Sequence, residues 1–351
     1  MTQKEIEERK RNKIKREKPL VYEKMLQIVD REKRGELVCR IDVGFNYACN
    51  LKCLHCMADK FEKKERSLTV EDMHNIAEQA DALGWCQFNL SGGEPLILKN
   101  FNELLKACMP DKFHIGISTN GYYLTLDRAK ELKSLGLDKV MISLDSMDSE
   151  LHNGNRDDKD AYDKAIMAIW NAKEADLDVV IQHVITHQNC ISTNTVKLAE
   201  FAQTHDFSLD LVLGKALGEW EGKHEILIDR FDADFLWRLH QRYPAARRDT
   251  FPAFGRGGGC GALKKCFHIT QYGDVLICVF MHISIGNIFQ DSLKTIVERG
   301  MSIKQIRKPS AICLAGEDRE FINRYMAKFY GKPLPVPYTE IFNDEDILPV
   351  E

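Results

Sequence analysis

Three cysteines fall within eight residues of this chain, at Cys49, Cys53 and Cys56, directly after a strand-like run from Val38 to Gly44. Zinc sites usually combine paired C-x2-C knuckles, whereas this single group provides three thiolates. An iron-sulfur cube that is held by three cysteines has one iron without a protein ligand, and that iron can chelate a small molecule. The spacing predicts a metal-binding loop after the first strand, with a zinc knuckle or three incidental thiols as the alternatives.

Length and charge exclude several classes of protein. The chain has 351 residues, 44% hydrophobic and 29% charged, with a net charge of -4, which fits one large α/β domain with an appendage. This charge gives no electrostatic footprint for nucleic acid. The longest clearly apolar run, Val275 to Met281, is too short to span a bilayer, and no signal peptide is recognisable. We therefore expect a cytoplasmic protein with no transmembrane segment and no nucleic-acid partner.

Eleven cysteines without a secretory signal favour metal binding over disulfides, because cytosolic thiols are kept reduced. A second group surrounds a Gly-Asp hairpin turn at Gly273 and contains Cys260, Cys266, Cys278 and Cys313. Four thiolates complete a metal site. A zinc ribbon is the alternative, although zinc sites prefer C-x2-C pairs. Three other cysteines follow strand or helix patterns and are predicted to be buried: Cys39, Cys86 and Cys108.

Strand patterns alternate with helix patterns from residue 37 onward. The candidate strands are Leu37 to Val43, Cys86 to Ser91, Phe113 to Ser118, Lys139 to Leu144, Val179 to Thr186 and Phe207 to Leu213. Six strands that alternate with helices predict a parallel sheet. In such a sheet the functional residues belong at the carboxyl ends of the strands, where the connecting loops gather.

The C-x3-C-x2-C spacing, with the ring of His55 before the third cysteine, resembles the signature of the radical S-adenosylmethionine (SAM) superfamily. The resemblance implies that Cys49, Cys53 and Cys56 bind a [4Fe-4S] cluster whose fourth iron takes the amino and carboxylate groups of SAM. It also implies an α/β fold in which the sheet curves into a partial (β/α)6 barrel, with an open doubly wound sheet as the alternative.

Motifs after the later strands resemble further parts of the same family. Ser91-Gly92-Gly93-Glu94-Pro95 looks like the motif whose backbone receives the SAM amino group, with Glu94 in support. A second set of residues is similar to family positions that contact the ribose, adenine or carboxylate of SAM: Ser118, Asn120, Ser143, Arg156 and Asn189. Arg156 is the candidate for the carboxylate, because a guanidinium can bind a carboxylate through two parallel hydrogen bonds.

The second cysteine group, spaced C-x5-C-x11-C with a later lone cysteine, resembles the first auxiliary cluster of SPASM and twitch domains. The resemblance implies a second [4Fe-4S] cluster held by Cys260, Cys266, Cys278 and Cys313. The dense run of cysteines that a second SPASM cluster needs is absent from the sequence, so twitch is the preferred label.

These patterns divide the chain into five parts. We expect a basic N-terminal helix over residues 1–37, solvated on its surface, and a radical SAM core over residues 38–215. A linker over the barrel mouth would follow at residues 216–258, and a twitch/SPASM-like domain at residues 259–316. Residues 317–351 are predicted to form a final helix and an acidic surface strap.

The resemblance implies a radical SAM enzyme of the oxidoreductase or epimerase type that receives electrons from a flavodoxin or ferredoxin. A small molecule such as a sugar, aminocyclitol or nucleotide sugar is the first substrate class, because no separate peptide-binding domain fits before residue 37. A maturase of ribosomal peptides or protein side chains is the second, and a non-catalytic iron-sulfur or zinc protein is the third. Cys190, close to the end of a strand, is the candidate hydrogen-atom donor.

Overall fold

The computed structural model describes residues 2–349, and two helices precede its first strand. They are α1 (Gln3–Glu17) and α2 (Pro19–Lys33). Thr2 and Glu5 form a capping box at the start of α1, which satisfies N–H groups that a helix leaves unpaired. Pro19 stands at the start of α2, where its missing N–H has no cost.

Six parallel strands and the helices between them form the centre of the molecule. The strands are β1 (Arg40–Asn46), β2 (Gln87–Gly92), β3 (His114–Thr119), β4 (Lys139–Ser143), β5 (Asp178–Ile185) and β6 (Ser208–Leu213). The connecting helices are α3 (Val70–Ala82), α4 (Phe101–Ala107), α5 (Leu126–Ser134), α6 (Ser149–Arg156), α7 (Ala161–Glu174), α8 (His187–Cys190) and α9 (Thr193–His205). Hydrophobic alternation predicted all six strands to within three residues.

The strands from β1 to β6 lie in the sheet in the same order as along the chain, and each pairs in parallel with the next. A doubly wound sheet reverses its strand order at a switch point. No reversal occurs between β1 and β6, so the winding is that of a partial (β/α)6 barrel and the doubly wound alternative is wrong.

The two faces of the barrel strands differ in chemistry. Toward the helices, Ile41, Val43 and Leu90 are fully buried in the hydrophobic core. On the opposite face Asp42 lies in register with Asn89 on one side and with His268 on the other. Since all three of these polar residues are at most 9% exposed, the barrel interior is both buried and polar.

The remaining elements extend the sheet at both ends. They are α10 (Arg230–Arg242), β7 (Ala246–Arg247), β8 (Cys266–Ile269), β9 (Asp274–Cys278), β10 (Met281–Asn287), α11 (Leu293–Met301), α12 (Lys304–Arg307), α13 (Arg319–Arg324), β11 (Val336–Pro337) and α14 (Tyr338–Ile341). The sheet order is β11-β10-β9-β8-β1-β2-β3-β4-β5-β6-β7. The β8–β9 hairpin therefore attaches directly to β1 through parallel pairing of β8.

Two C-terminal regions differ from their predictions. Residues 216–258, expected to be a linker, contain α10 and the short β7, which pairs with β6. Helix α13 is shorter than the final helix predicted over residues 317–329, and the acidic tail is a surface strap only in part, since Asp344 and Glu345 are exposed. Phe329, Ile341 and Phe342 are at most 3% exposed, so this segment belongs to the hydrophobic core.

The basic N-terminal helices also differ from the prediction of a solvated helix, because they cover the amino ends of barrel strands. Lys10 Nζ donates to Ser208 Oγ at 2.7 Å, at the start of β6, and Lys18 Nζ contacts Asp138 at 2.6 Å, just before β4. The lysines of this extension therefore bind polar groups of the barrel and are not simply solvated. Among residues 2–349, no helix combines the length and the apolar composition that a membrane span requires.

Candidate active site

The loop after β1 carries Cys49, Cys53 and Cys56 at the carboxyl end of that strand. Cys49 is exposed, and the other two thiols are partly exposed. Partial burial raises the pKa of Cys49, and negative charge at Glu94, Cys53 and Cys56 adds to the rise. The three thiols are therefore close enough to influence one another, which a shared metal site requires.

The glycine pair after β2 packs against this cysteine loop. A Cβ on Gly92 would lie 2.0 Å from Asn46 O, and one on Gly93 would lie 2.1 Å from Ala48 O, so neither position admits a side chain. Gly93 N donates to Asn46 O at 2.7 Å and Glu94 N donates to Ala48 O at 2.9 Å. The structure thus uses these two N–H groups to hold the cysteine loop, and the predicted contact of this backbone with SAM stays a prediction.

Glu94 lies beneath the site and is fully buried. Its carboxylate accepts hydrogen bonds from Thr119 Oγ1 at 2.7 Å, Asn120 N at 2.8 Å and Leu96 N at 3.1 Å, while burial raises its pKa. Asn120 Nδ2 in turn donates to Asn50 Oδ1 at 2.9 Å, within the cysteine loop. Glu94 therefore acts as a positioning residue that ties the loops after β2 and β3 together beside the cysteines.

Ser118 and Ser143 lie near the carboxyl ends of β3 and β4, and both are partly exposed. Their position at the same edge of the barrel as the cysteine loop is the one that contact with a bound cofactor requires. The roles of both serines in SAM binding stay predictions.

Asn189 and Cys190 lie in α8, after β5. Asn189 Oδ1 accepts a hydrogen bond from Thr186 N at 2.8 Å and its Nδ2 donates to Val184 O at 2.8 Å, so both ends of the amide are engaged by the backbone. Cys190 is fully buried, its thiol faces Asp232 O at 3.7 Å, and burial raises its pKa to about 12. These contacts favour structural roles for both residues over the predicted contact with SAM and the predicted hydrogen donation.

Arg156 forms a buried ion pair with Asp145. Arg156 Nε and Nη2 donate to the two oxygens of Asp145 at 2.8 and 2.7 Å, and each residue is 5% exposed. Although burial opposes ionisation, the charge of Arg156 lowers the pKa of Asp145 to about 2. The two-bond contact that we predicted for the SAM carboxylate is made to Asp145, and the remaining nitrogen, Nη1, points to Cys53 Sγ at 3.5 Å.

The linker after β6 contributes contacts that the sequence did not indicate. A Cβ on Gly218 would lie 2.1 Å from Cys56 O, and the ring of Trp220 lies 5.7 Å from the ring of His55. Burial lowers the pKa of His55 to about 4, and the charge of Arg156 adds to this, so the imidazole is neutral at pH 7. The only sequence signal for this contact was an aromatic residue within a polar linker.

The second group of thiols is gathered by the β8–β9 hairpin and two loops. The hairpin register, continued by two residues from its pairing of His268 with Leu276, places Cys266 opposite Cys278. Burial raises the pKa of Cys278 well above its ordinary value, and the charges on Cys266, Cys260 and Cys313 act in the same direction. All four cysteines therefore lie near one another beside the hairpin, and their role as ligands of one metal site stays a prediction.

The second thiol site lies between the two ends of the six-stranded barrel, on the side that would otherwise be open. Cys313 N donates to Glu317 Oε2 at 2.8 Å, and Glu317 forms a buried ion pair with Arg248, which directly follows β7. Gly259 N donates to Thr250 O at 2.8 Å on the same side. The second thiol site thus connects the segment after β7 with the hairpin on β1, at the two ends of the barrel.

The separation of the thiols distinguishes a mononuclear zinc site from a cluster. Zinc-sulfur bonds of about 2.3 Å in a tetrahedron place the sulfurs about 3.8 Å apart. Among the side chains that the structure describes, the only three potential metal ligands with atoms within 4.8 Å of one another are in His187, Asp229 and Asp232. Both cysteine groups are therefore spread more widely than a single zinc ion needs, and their sulfur donors fit iron-sulfur clusters.

Comparison with known proteins supports this interpretation. The family model described as "Radical SAM superfamily" matches residues 43–192, and one described as "Iron-sulfur cluster-binding domain" (SPASM) matches residues 260–316. The chain belongs to the radical SAM superfamily. Within it, the second match agrees with the predicted SPASM/twitch subgroup, and the preference for the twitch label stays a prediction.

Several relatives and solved structures are similar to this chain. The mycofactocin maturase of Mycobacterium tuberculosis is 25% identical over 317 residues, which cover 84% of this chain and 80% of that protein. A probable GTP 3',8-cyclase of Methanocella arvoryzae is 35% identical over 135 residues, 38% of this chain and 43% of that protein. The structure of Streptococcus suis SuiB bound to precursor peptide SuiA has a TM-score of 0.60 at 17% identity, covering 77% of this chain and 67% of that one, and shows that the fold is shared.

Membership in this family implies three cofactors: SAM, a [4Fe-4S] cluster and an auxiliary cluster. When bound, the first cluster would supply the electron for reductive cleavage of SAM. The protein's own contribution is to hold the cysteine loop with Gly93 and Glu94 and to place the charge of Arg156 beside Cys53.

Proposed function

We propose that this radical SAM enzyme modifies a peptide or protein substrate. The observation that carries the proposal is the extent of the similarity to the mycofactocin maturases, 84% of this chain for the Mycobacterium tuberculosis enzyme. The similarity to GTP 3',8-cyclases covers less than half of this chain, 38% for the Methanocella arvoryzae protein and 49% for that of Nautilia profundicola. This order reverses the sequence analysis, which placed a small-molecule substrate first.

Exposed apolar side chains on the loops and helices that follow the strands support a peptide substrate. Leu54, Leu151, Ile191 and Phe231 are each more than half exposed. Leu54 N donates to the backbone of α6, which carries Leu151, at 3.1 Å, while α8 contacts α10 next to Ile191 and Phe231. We call these four residues the apolar rim. They offer an extended chain several places to bury apolar side chains.

We assign the cofactor ligands as part of this proposal. Cys49, Cys53 and Cys56 would hold the cluster that binds SAM, since three thiolates keep one iron available. The four cysteines of the second site would hold the auxiliary cluster with no iron available for substrate: Cys260, Cys266, Cys278 and Cys313. The oxidoreductase or epimerase outcome and a flavodoxin or ferredoxin reductant belong to the proposal as well.

The proposal is tested by co-expressing the enzyme with each short reading frame next to its gene. The masses of the encoded peptides are then measured by mass spectrometry. We expect one peptide to change mass with the unmodified enzyme and to stay unchanged with the C49A/C53A/C56A variant. Phe231→Asp and Leu151→Asp should each reduce conversion about tenfold, because each removes an apolar contact of the rim. Met167→Asp is the matched control, since Met167 is also half exposed but lies in the middle of α7.

A different result would restore the small-molecule class. If GTP or a nucleotide sugar is consumed with formation of 5'-deoxyadenosine while every peptide keeps its mass, the peptide proposal is wrong. Equal conversion by the rim variants and by Met167→Asp would remove the apolar rim from the argument.

A further inference from the structure

Lys215 is a buried cation for which the radical SAM chemistry described above has no use. It lies two residues after β6 and is 7% exposed. Its Nζ donates to Leu213 O at 2.7 Å and lies 4.2 Å from the centre of the Phe280 ring. Among the side chains that the structure describes, no carboxylate forms an ion pair with it within 4.0 Å. A buried ammonium without a counter-charge is unfavourable, so its position indicates a negative group nearby.

The surroundings of Lys215 identify that negative group. Phe280 stands two residues after Cys278, and a Cβ on Gly316, three residues after Cys313, would lie 3.2 Å from Lys215 Cε. Lys215 therefore lies against the second thiol site, although it belongs to the barrel.

A cluster with four thiolate ligands carries a net negative charge and becomes more negative when it accepts one electron. A fixed cation nearby stabilises the reduced state more than the oxidised state, because the attraction grows with the charge of the cluster. Protein charges and hydrogen bonds around the sulfurs are among the factors that set cluster potentials. The low exposure of Lys215 keeps this effect from being screened by water.

We propose that Lys215 is a positioning residue for the auxiliary cluster, at which its ammonium supplies the counter-charge and raises the reduction potential. The same short segment reaches the first site, where Gly218 packs on Cys56 and Trp220 on His55. The barrel thereby sets the electron affinity of a cluster whose cysteines all lie outside it.

The test is an EPR-monitored redox titration of the full chain in the C49A/C53A/C56A background, so that only the auxiliary cluster gives a signal. We expect Lys215→Met to shift the midpoint potential to a more negative value, by about a tenfold change in the ratio of reduced to oxidised cluster, which is about 59 mV for one electron. Lys215→Arg should keep the parent potential. Lys223→Met is the matched control, because it removes the same charge from an exposed position in the following loop.

A Lys215→Met midpoint equal to that of Lys223→Met would overturn the proposal. If Lys215→Met does not retain its auxiliary iron, the comparison of Lys215→Gln with Lys215→Arg in the same titration decides, and equal potentials in those two variants overturn it as well. The titration needs no substrate, so its outcome is independent of whether the enzyme acts on peptides.

Discussion

The two thiol sites differ in the number of cysteines, in burial and in the treatment of their nearest cation. The first has three thiols on an exposed loop, and its cation, Arg156, is already paired with Asp145. The second has four thiols, of which that of Cys313 is buried, and no carboxylate among the described side chains pairs with its cation, Lys215. On the proposed assignment of ligands, this difference would keep one metal site open to a ligand and close the other for electron transfer. Four tests separate the two sites, and they follow in order of expected effect.

The largest effect should come from removing the first set of thiols. We expect the C49A/C53A/C56A variant to lose all formation of 5'-deoxyadenosine from SAM while it retains about four iron atoms per chain at the second site. The triple variant of the buried cysteines Cys39, Cys86 and Cys108, each replaced by Ala, is the matched control and should still cleave SAM. Persistent cleavage by the first variant would exclude the assignment of its ligands.

Replacement of one cysteine at the second site should have the opposite pattern. We expect Cys313→Ala to lower iron content from about eight toward about four atoms per chain and to leave SAM cleavage in place. Iron analysis and 5'-deoxyadenosine assays of the same sample measure both. Hyperfine coupling between an isotopically labelled substrate and the auxiliary cluster of the unmodified enzyme would contradict a fully protein-ligated site.

Arg156 tests whether the paired cation of the first site also serves SAM. Arg156→Ala should destabilise the protein by about 3 to 5 kcal/mol, since it leaves Asp145 buried without its partner. A direct contact with the SAM carboxylate would add a loss of about 1.5 to 3 kcal/mol in SAM affinity. Denaturation and SAM binding are measured on Arg156→Ala and Asp145→Asn. Weaker binding in the first variant alone would assign the SAM contact to Arg156, and equal affinities would show that its role is structural.

A pair of glycines should give the smallest effects and the cleanest separation. A Cβ on Gly93 would meet Ala48 O at 2.1 Å beside the first site, and one on Gly259 would meet Ser310 O at 2.4 Å beside the second. We expect Gly93→Ala to reduce iron loading and SAM cleavage at the first site only. Gly259→Ala, at a φ of +100°, should affect the second site only. Each substitution should destabilise its own loop by about 1 to 3 kcal/mol. Gly154→Ala, with no atom within 4 Å, is the control. Loss at both sites in either variant would show that the sites are coupled.

The sequence predicted those parts of the molecule that depend on local patterns. Alternation in segments such as Ile41 to Val43 predicted the strands, and cysteine spacing predicted where the thiols gather, because these signals extend over a few residues. Partners distant in sequence were not predictable. Nothing in the basic pattern around Lys18 indicates that its ammonium contacts Asp138, 120 residues away. Arg156 was recognised as important, but its pairing with Asp145 requires the geometry between β4 and α6.

The role of Gly92 and Gly93 was predicted only in part. The sequence indicated that a backbone must approach closely there, which is what paired glycines allow. It did not show that the approaching group is the cysteine loop itself, through Asn46 and Ala48. Sequence spacing does not determine a contact between two loops that are separated by a helix, because the direction of each loop depends on the packing of the whole sheet.

The parallel pairing of β8 with β1 has a consequence for synthesis of the chain. Arg40 pairs with Cys266, so β1 acquires its second neighbour only after more than 200 further residues have been added. Until then β1 is an edge strand with unpaired backbone groups on one side, a state that invites pairing with other chains. Contacts over such long sequence separations also form slowly. A ribosome-bound chain that ends before β8 therefore already contains the first cysteine loop but has an unprotected sheet edge beside it, and completion of the hairpin is the event that covers it.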